Sequence, residues 1–294
     1  MKRNLLLSLL VLALPTLACT ITVPAPAQVT TGPTETFTVK VAAPESATAA
    51  DPVKVTLRMG AGTLKLQSGA DGLAEGTIDY NVPAWKPVLS SENGRLLIEQ
   101  VMPQDQSPSY LLSGKDNSIV NTWDLALGPT PMELEIEAGA YKGEMDLSGL
   151  HLLNLRVSDG ASDSQLTFSE PNPEKMDTFT YMTGASAVKL SGLGYANFEQ
   201  MNFKGGVGDY KLDFAGDLQR DAEVNIDAGM STLRLSIPEG TKAVIEISAG
   251  MKNVKTEGTW TAHEDTYLTT GTSDYTLTIK VNIGLGSLTL VSGK

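Results

Sequence analysis

"VNIDAGMSTLRLSIPEG", residues 224 to 240, alternates apolar and polar side chains, breaks at Gly229, and then alternates again. Val224, Ile226 and the small Ala228 precede the glycine; Met230 and Ser231 follow it, and then Leu233 and Leu235. An apolar residue at every second position is the period of a strand with one buried face, not of a helix. The same phrase recurs as "VTLRMGAGTLKL" from Val55, "LEIEAGAYKGEMDL" from Leu134, "LRVSDGASDSQLTF" from Leu155 and "FTYMTGASAVKL" from Phe179. It appears again as "MNFKGGVGDYKL" from Met201, "IEISAGMKNVKT" from Ile245 and "IKVNIGLGSLTL" from Ile279. The anchoring glycines are Gly60, Gly139, Gly160, Gly184, Gly206, Gly229, Gly250 and Gly284. From Gly139 to Gly250 the intervals are 21, 24, 22, 23 and 21 residues. Self-similarity at a fixed period above about 20 residues marks a stacked repeat architecture.

A coil of about 22 residues at roughly 3.3 Å each makes two or more short strands joined by bends. Glycine belongs at the bend because it adopts backbone angles closed to other residues and lets stacked chains approach closely. The flanking strands turn their apolar residues into a shared interior, and each coil covers the next. The expected fold is therefore all-β, a single-domain β-solenoid of stacked glycine-centred repeats, with a twisted β-sandwich as the alternative. The regular repeats span 134–294. An N-terminal part of the same domain, 35–133, carries an insertion with "GTIDYNVPAWKPV", "RLLIEQV" and "NTWDLAL", and an exposed loop from Pro103 to Ser118.

The start of the chain, "MKRNLLLSLLVLALPTLACT", has Lys2 and Arg3 followed by an apolar run from Leu5 to Leu14. That run is too short to span a bilayer and has the form of a secretory signal, placing a signal peptide at 1–18. Cys19 is the only cysteine among 294 residues, so no intramolecular disulfide is available. Leu17, Ala18 and Cys19 resemble a bacterial lipoprotein signal, with Thr16 where an aliphatic residue is commoner. This resemblance implies lipidation of Cys19, an extracytoplasmic location and a membrane partner reached through the lipid anchor. Residues 19–34, rich in Thr, Pro and Ala, read as the tether.

The repeated phrases, together with "DYNVPAWKPV" and "MELEIEAGAYKGEMDLSGL", resemble the toast-rack family of bacterial cell-envelope proteins over roughly Asp51 to Lys294. That family is related to the C-terminal domain of LiaF-like proteins that respond to cell-wall-active antibiotics. The resemblance implies an envelope role, with a link to the envelope stress response, and supplies no catalytic residue. No transmembrane helices precede the domain, a departure from the LiaF-like arrangement that argues against direct control of a membrane histidine kinase.

A net charge of −12 argues against nucleic acid as a partner, because phosphate binding needs a positive surface. Catalytic motifs do not converge. His151 and His263 stand in no recognised motif, and Ser186 and Lys189 have Ser-x-x-Lys spacing but would point to opposite faces of a strand. "KGGVGDYKLDF" approaches a calcium-binding nonapeptide, yet Asp209 falls one place early and Tyr210 takes the ligand position. No metal and no cofactor is expected. Two classes of function are weighed: a non-enzymatic, lipid-tethered envelope module that binds a polymer or protein, and a polysaccharide-active lyase-type solenoid. A lyase needs clustered carboxylates on an outward face. The outward position two before each glycine holds Arg58, Glu137, Ser158, Met182, Lys204, Asp227, Ser248 and Asn282, with no acidic cluster. Five residues after the glycine, Lys189, Lys211, Arg234 and Lys255 line up as a basic stripe on what read as four successive coils. The stripe is the candidate contact for an anionic envelope polymer or an envelope protein, weighed against a solvated face neutralised by Asp213, Asp227 and Glu257.

Overall fold

The structure, a computed structural model, describes residues 29–44, 46–100, 119–248 and 253–293. Cys19, the signal peptide and Gly250 lie outside the described residues. In chain order the strands are β1 (Glu35–Val41), β2 (Val53–Ser68), β3 (Ala74–Tyr80), β4 (Val88–Glu92), β5 (Arg95–Glu99), β6 (Asn121–Leu127), β7 (Met132–Asp146) and β8 (Leu152–Thr167). They continue as β9 (Met176–Ser191), β10 (Phe198–Asp213), β11 (Ala222–Ile237), β12 (Lys242–Ile247), β13 (Val254–Glu257), β14 (Thr261–His263), β15 (Thr266–Leu268) and β16 (Thr276–Ser292). All belong to one sheet. Its centre is the parallel run β2-β7-β8-β9-β10-β11-β16, which makes the chain a β-solenoid.

Each long strand contains a whole glycine phrase as two limbs. In β11 the inward residues before the glycine are Val224, Ile226 and Ala228; after it they are Ser231, Leu233, Leu235 and Ile237. The inward set thus moves from even to odd numbers, with Gly229 and Met230 as two consecutive outward positions. That one-residue slip turns both limbs toward the same core. Phe203 and Tyr210, on opposite limbs of β10, meet edge-on with ring centroids 5.0 Å apart. Tyr181 and Ser164, on opposite limbs of adjacent coils, join their hydroxyls at 2.7 Å.

The glycines earn their place through stacking rather than positive φ, which narrows the expectation from sequence. Gly160, Gly184, Gly206, Gly229 and Gly284 are absent from the positive-φ glycines. A Cβ built on Gly229 would lie 2.6 Å from the carbonyl oxygen of Gly206, and one on Gly160 would lie 2.7 Å from that of Gly139. Gly184 and Gly206 are packed tighter still against Gly160 and Gly184. Where φ does matter is the β4–β5 hairpin, whose Asn93 and Gly94 both sit at positive φ (51° and 70°), as a two-residue turn requires.

The connectors carry their own inward residues, Leu147, Leu150, Phe168, Leu193 and Phe214, all buried. In the one before β9, buried Asn172 donates to the Leu152 and Ala196 carbonyls (2.8 and 3.2 Å) and accepts from the Leu152 and Glu174 amides (3.0 and 3.3 Å). It splices three consecutive turns of the stack. At the start, β1, β3 and β6 pair antiparallel and cover the post-glycine limb of β2, while β5 covers the limb before it.

The far end departs from the order of the sequence. β16 lies between β11 and β12, so the last phrase is inserted between the phrases of Gly229 and Gly250. The four cations are therefore not on successive coils. Lys189, Lys211 and Arg234 are neighbours in register, but Thr289 of β16 stands between Arg234 and Lys255.

Candidate binding face

Outward positions form ladders, one residue per strand, with rungs about 4.8 Å apart. The ladder two before the glycine runs Arg58, Glu137, Ser158, Met182, Lys204, Asp227, Asn282 in register. Its one charged cluster is closed on itself: Arg58 bonds Glu99 at 2.9 Å and Glu137 at 2.6 Å, and the Glu137 and Glu99 carboxylates raise the guanidinium above its ordinary value. The carboxylates needed for lyase chemistry do not converge there. Ser248, the remaining member, precedes the part of its phrase that is not described.

The ladder five after the glycine runs Lys65, Glu144, Gln165, Lys189, Lys211, Arg234, Thr289, Lys255. Arg234 is held by Glu257 of β13 through two bonds of 3.1 and 2.7 Å, which reach across Thr289 and raise the guanidinium further. Lys211 has Asp209 of its own strand at 3.6 Å. Asp227 lies on the other limb, where Asn282 donates to it, and takes no part. Lys189 is exposed, with Gln165 beside it in register and Ala187 and Ser191 two residues away along its strand. Lys211 is thus flanked along its strand by Asp209 and Asp213 and Arg234 is held by Glu257, whereas no carboxylate stands two residues from Lys189 along its own strand.

The near-miss motifs resolve by facing. Ser186 points inward and Lys189 outward; Tyr210 is buried while Asp209 faces solvent. His151 is half-buried against Glu174 at 3.2 Å, and His263 is exposed on β14.

Sequence reasoning missed a polar crease inside the bend. The innermost position before the glycine holds Asp159 in β8 and Thr183 in β9. Two after the glycine stand Ser162 and Ser186. Buried Asp159 accepts from Tyr181 Oη (3.2 Å), Thr183 Oγ1 (2.5 Å) and Ser186 Oγ (3.3 Å). The buried Tyr141 hydroxyl lies close to these oxygens without hydrogen-bond geometry to any of them, and burial raises its pKa further. Burial also pushes the Asp159 carboxyl above its ordinary 3.8, partly offset by the hydroxyls that donate to it.

An acid whose folded pKa is raised costs nothing when protonated, so its penalty is absent below 3.8 and complete above the raised value. Stability contributed at this site falls as pH rises through that window. Asp159→Asn removes the titration, and the difference in urea midpoint, native chain minus variant, is expected to grow more favourable to the native chain as pH is lowered from neutral to about 4. Parallel pH profiles for the two chains would show that Asp159 does not carry this penalty.

The fold is a parallel solenoid with bent coils, glycine-stacked apices and charged outward ladders. The chain matches the family model described as the N-terminal domain of toast_rack, DUF2154, over residues 30–190, more than half its length, and it belongs to the toast-rack family. It is similar to the crystal structure of a candidate cell adhesion protein from Clostridium sporogenes, at 19% identity and a TM-score of 0.47, covering 88% of this chain and 99% of that one. A candidate adhesin from Bacteroides fragilis aligns at 10% identity and TM-score 0.32, covering 91% and 98%. A candidate lipid-binding protein from Parabacteroides distasonis aligns at 13% and 0.35, covering 90% and 98%. A comparison with curated proteins found no match.

Proposed function

We propose that this protein is a non-enzymatic cell-envelope module, tethered through a lipidated Cys19, whose post-glycine face binds an anionic envelope polymer. One observation carries the reading: Lys189 and Lys211, distant in sequence, stand side by side on one outward ladder, and the residues two away from Lys189 along its own strand, Ala187 and Ser191, are uncharged. Cations at the rung spacing lie well inside a Debye length of about 8 Å, so their field adds. Like charges opposed across strands are mildly destabilising, and an anionic ligand converts that repulsion into attraction.

Full-length protein extracted from membranes tests both halves. Its intact mass reads the tether: an unmodified or absent Cys19 ends that part of the reading. Its binding to a polyol-phosphate chain reads the face. Lys189→Gln with Lys211→Gln is expected to leave the melting temperature unchanged, to weaken binding about tenfold at low salt, and to flatten its salt dependence. Equal binding by the double variant would reduce the stripe to solvated surface.

A further inference from the structure

The slip at each bend sets the residue after the glycine at the apex of the coil, exposed in the later coils but covered at Ala61 and Ala140, which are 1% and 7% exposed. In register these residues are Ala61, Ala140, Ala161, Ala185, Val207, Met230 and Leu285. One continuous ladder is small over its first four rungs and large over its last three. Val207, Met230 and Leu285 are 56%, 55% and 66% exposed, a contiguous apolar ridge. The four alanines line a cleft of about 610 Å³.

We propose that this apex ladder is a self-complementary contact for a second copy of the chain, the ridge of each copy seated in the alanine trough of the other. A two-fold axis lying in the contact plane, crossing the ladder between Ala185 and Val207, reverses its order while keeping the common rung spacing. Val207 then faces Ala185 of the second copy, Met230 faces Ala161 and Leu285 faces Ala140, a large side chain against a small one at every rung.

The flanking ladders accept the same operation. On one side Lys204 meets Met182, Asp227 meets Ser158 and Asn282 meets Glu137; on the other Asp209 meets Ala187, Thr232 meets Asp163 and Ser287 meets Lys142. No like charges are opposed in any of these pairs. A net charge of −12 repels an anionic bilayer, the other apolar partner such a ridge could enter. The ladder is about 30 Å long and narrow, which sets the contact at the low end of specific interfaces and makes the dimer weak and reversible.

Sedimentation equilibrium of the full chain, from low micromolar to near-millimolar concentration, is the test. The native chain is expected to show a monomer–dimer equilibrium. Met230→Lys and Ala161→Asp, both outward and each checked by its melting temperature, are each expected to weaken association about tenfold or more, since the two-fold axis repeats every change. Met230→Lys combined with Ala161→Asp sets opposite charges face to face and is expected to recover most of the loss. A native chain that stays monomeric throughout, or a double variant no better than the singles, overturns the proposal. So does a ridge that sediments with neutral phosphatidylcholine vesicles and loses this in Met230→Lys but not in Ala161→Asp, which would assign it to a bilayer.

Discussion

Gly229→Val is expected to destabilise the solenoid by about 2–4 kcal/mol, among the largest effects of any single outward-facing substitution. The new Cβ would stand 2.6 Å from the Gly206 carbonyl oxygen, a backbone atom fixed by its own stacking on Gly184. Nothing flexible is present to give way, so β10 and β11 must part or slip between the Gly205–Ala228 and Val207–Met230 pairs that flank the bend. Thr232→Val supplies the control: it places valine at an exposed outward position three residues along the same strand, where a change within about 0.5 kcal/mol is expected. Urea unfolding of both variants measures the contrast. Equal midpoints would show that the glycine stack tolerates a side chain.

Asn172→Ala is expected to cost about 3 kcal/mol. The amide is buried and serves two amides and two carbonyls drawn from three neighbouring segments. Truncation removes one side chain but leaves several backbone groups without it, and each unsatisfied buried group costs about 1–3 kcal/mol. Water entering the space would lessen the loss. Asn172→Asp keeps the acceptor and, when protonated at low pH, supplies one O–H donor in place of the two amide N–H bonds, so it is expected to fall between the native chain and alanine there. Denaturant midpoints for the two variants order these outcomes; alanine behaving as the native chain does would show that the splice is dispensable.

The period, the two-limbed coil and the inward rows were legible in sequence because glycine spacing and alternation are both local. Val224, Ile226, Leu233 and Leu235 announce themselves by period alone, and they are buried. The place of the last phrase was not legible. The spacing from Gly250 to Gly284 marks another copy but carries no information on which edge it joins, and on that point the stripe was drawn one rung too short. Asp159 was missed for a different reason. Alternation places it inward, at a position where Ala228 and Met59 are ordinary, but the Tyr181, Thr183 and Ser186 hydroxyls that make a carboxylate tolerable there come from the next coil. Asn172 sits in an aperiodic connector, so pattern reading had nothing to hold. Aligning the eight phrases puts Ala, Ala, Ala, Ala, Val, Met, Met, Leu after the glycine, but the facing of these residues depends on the slip at the bend.

The insertion of β16 between β11 and β12 also sets a timetable. Coils from β7 to β11 lie on their predecessors in the order in which a ribosome releases them, so each new edge is covered by the next segment to emerge. β12 breaks that sequence. Its parallel partner is β16, which arrives about thirty residues later, and the flank of β11 stays open until then. Open edges recruit strands from other chains. The final long strand therefore acts as a keystone, dropped between two elements already made, and the interval before it arrives is when the nascent protein is most exposed to pairing with a neighbour.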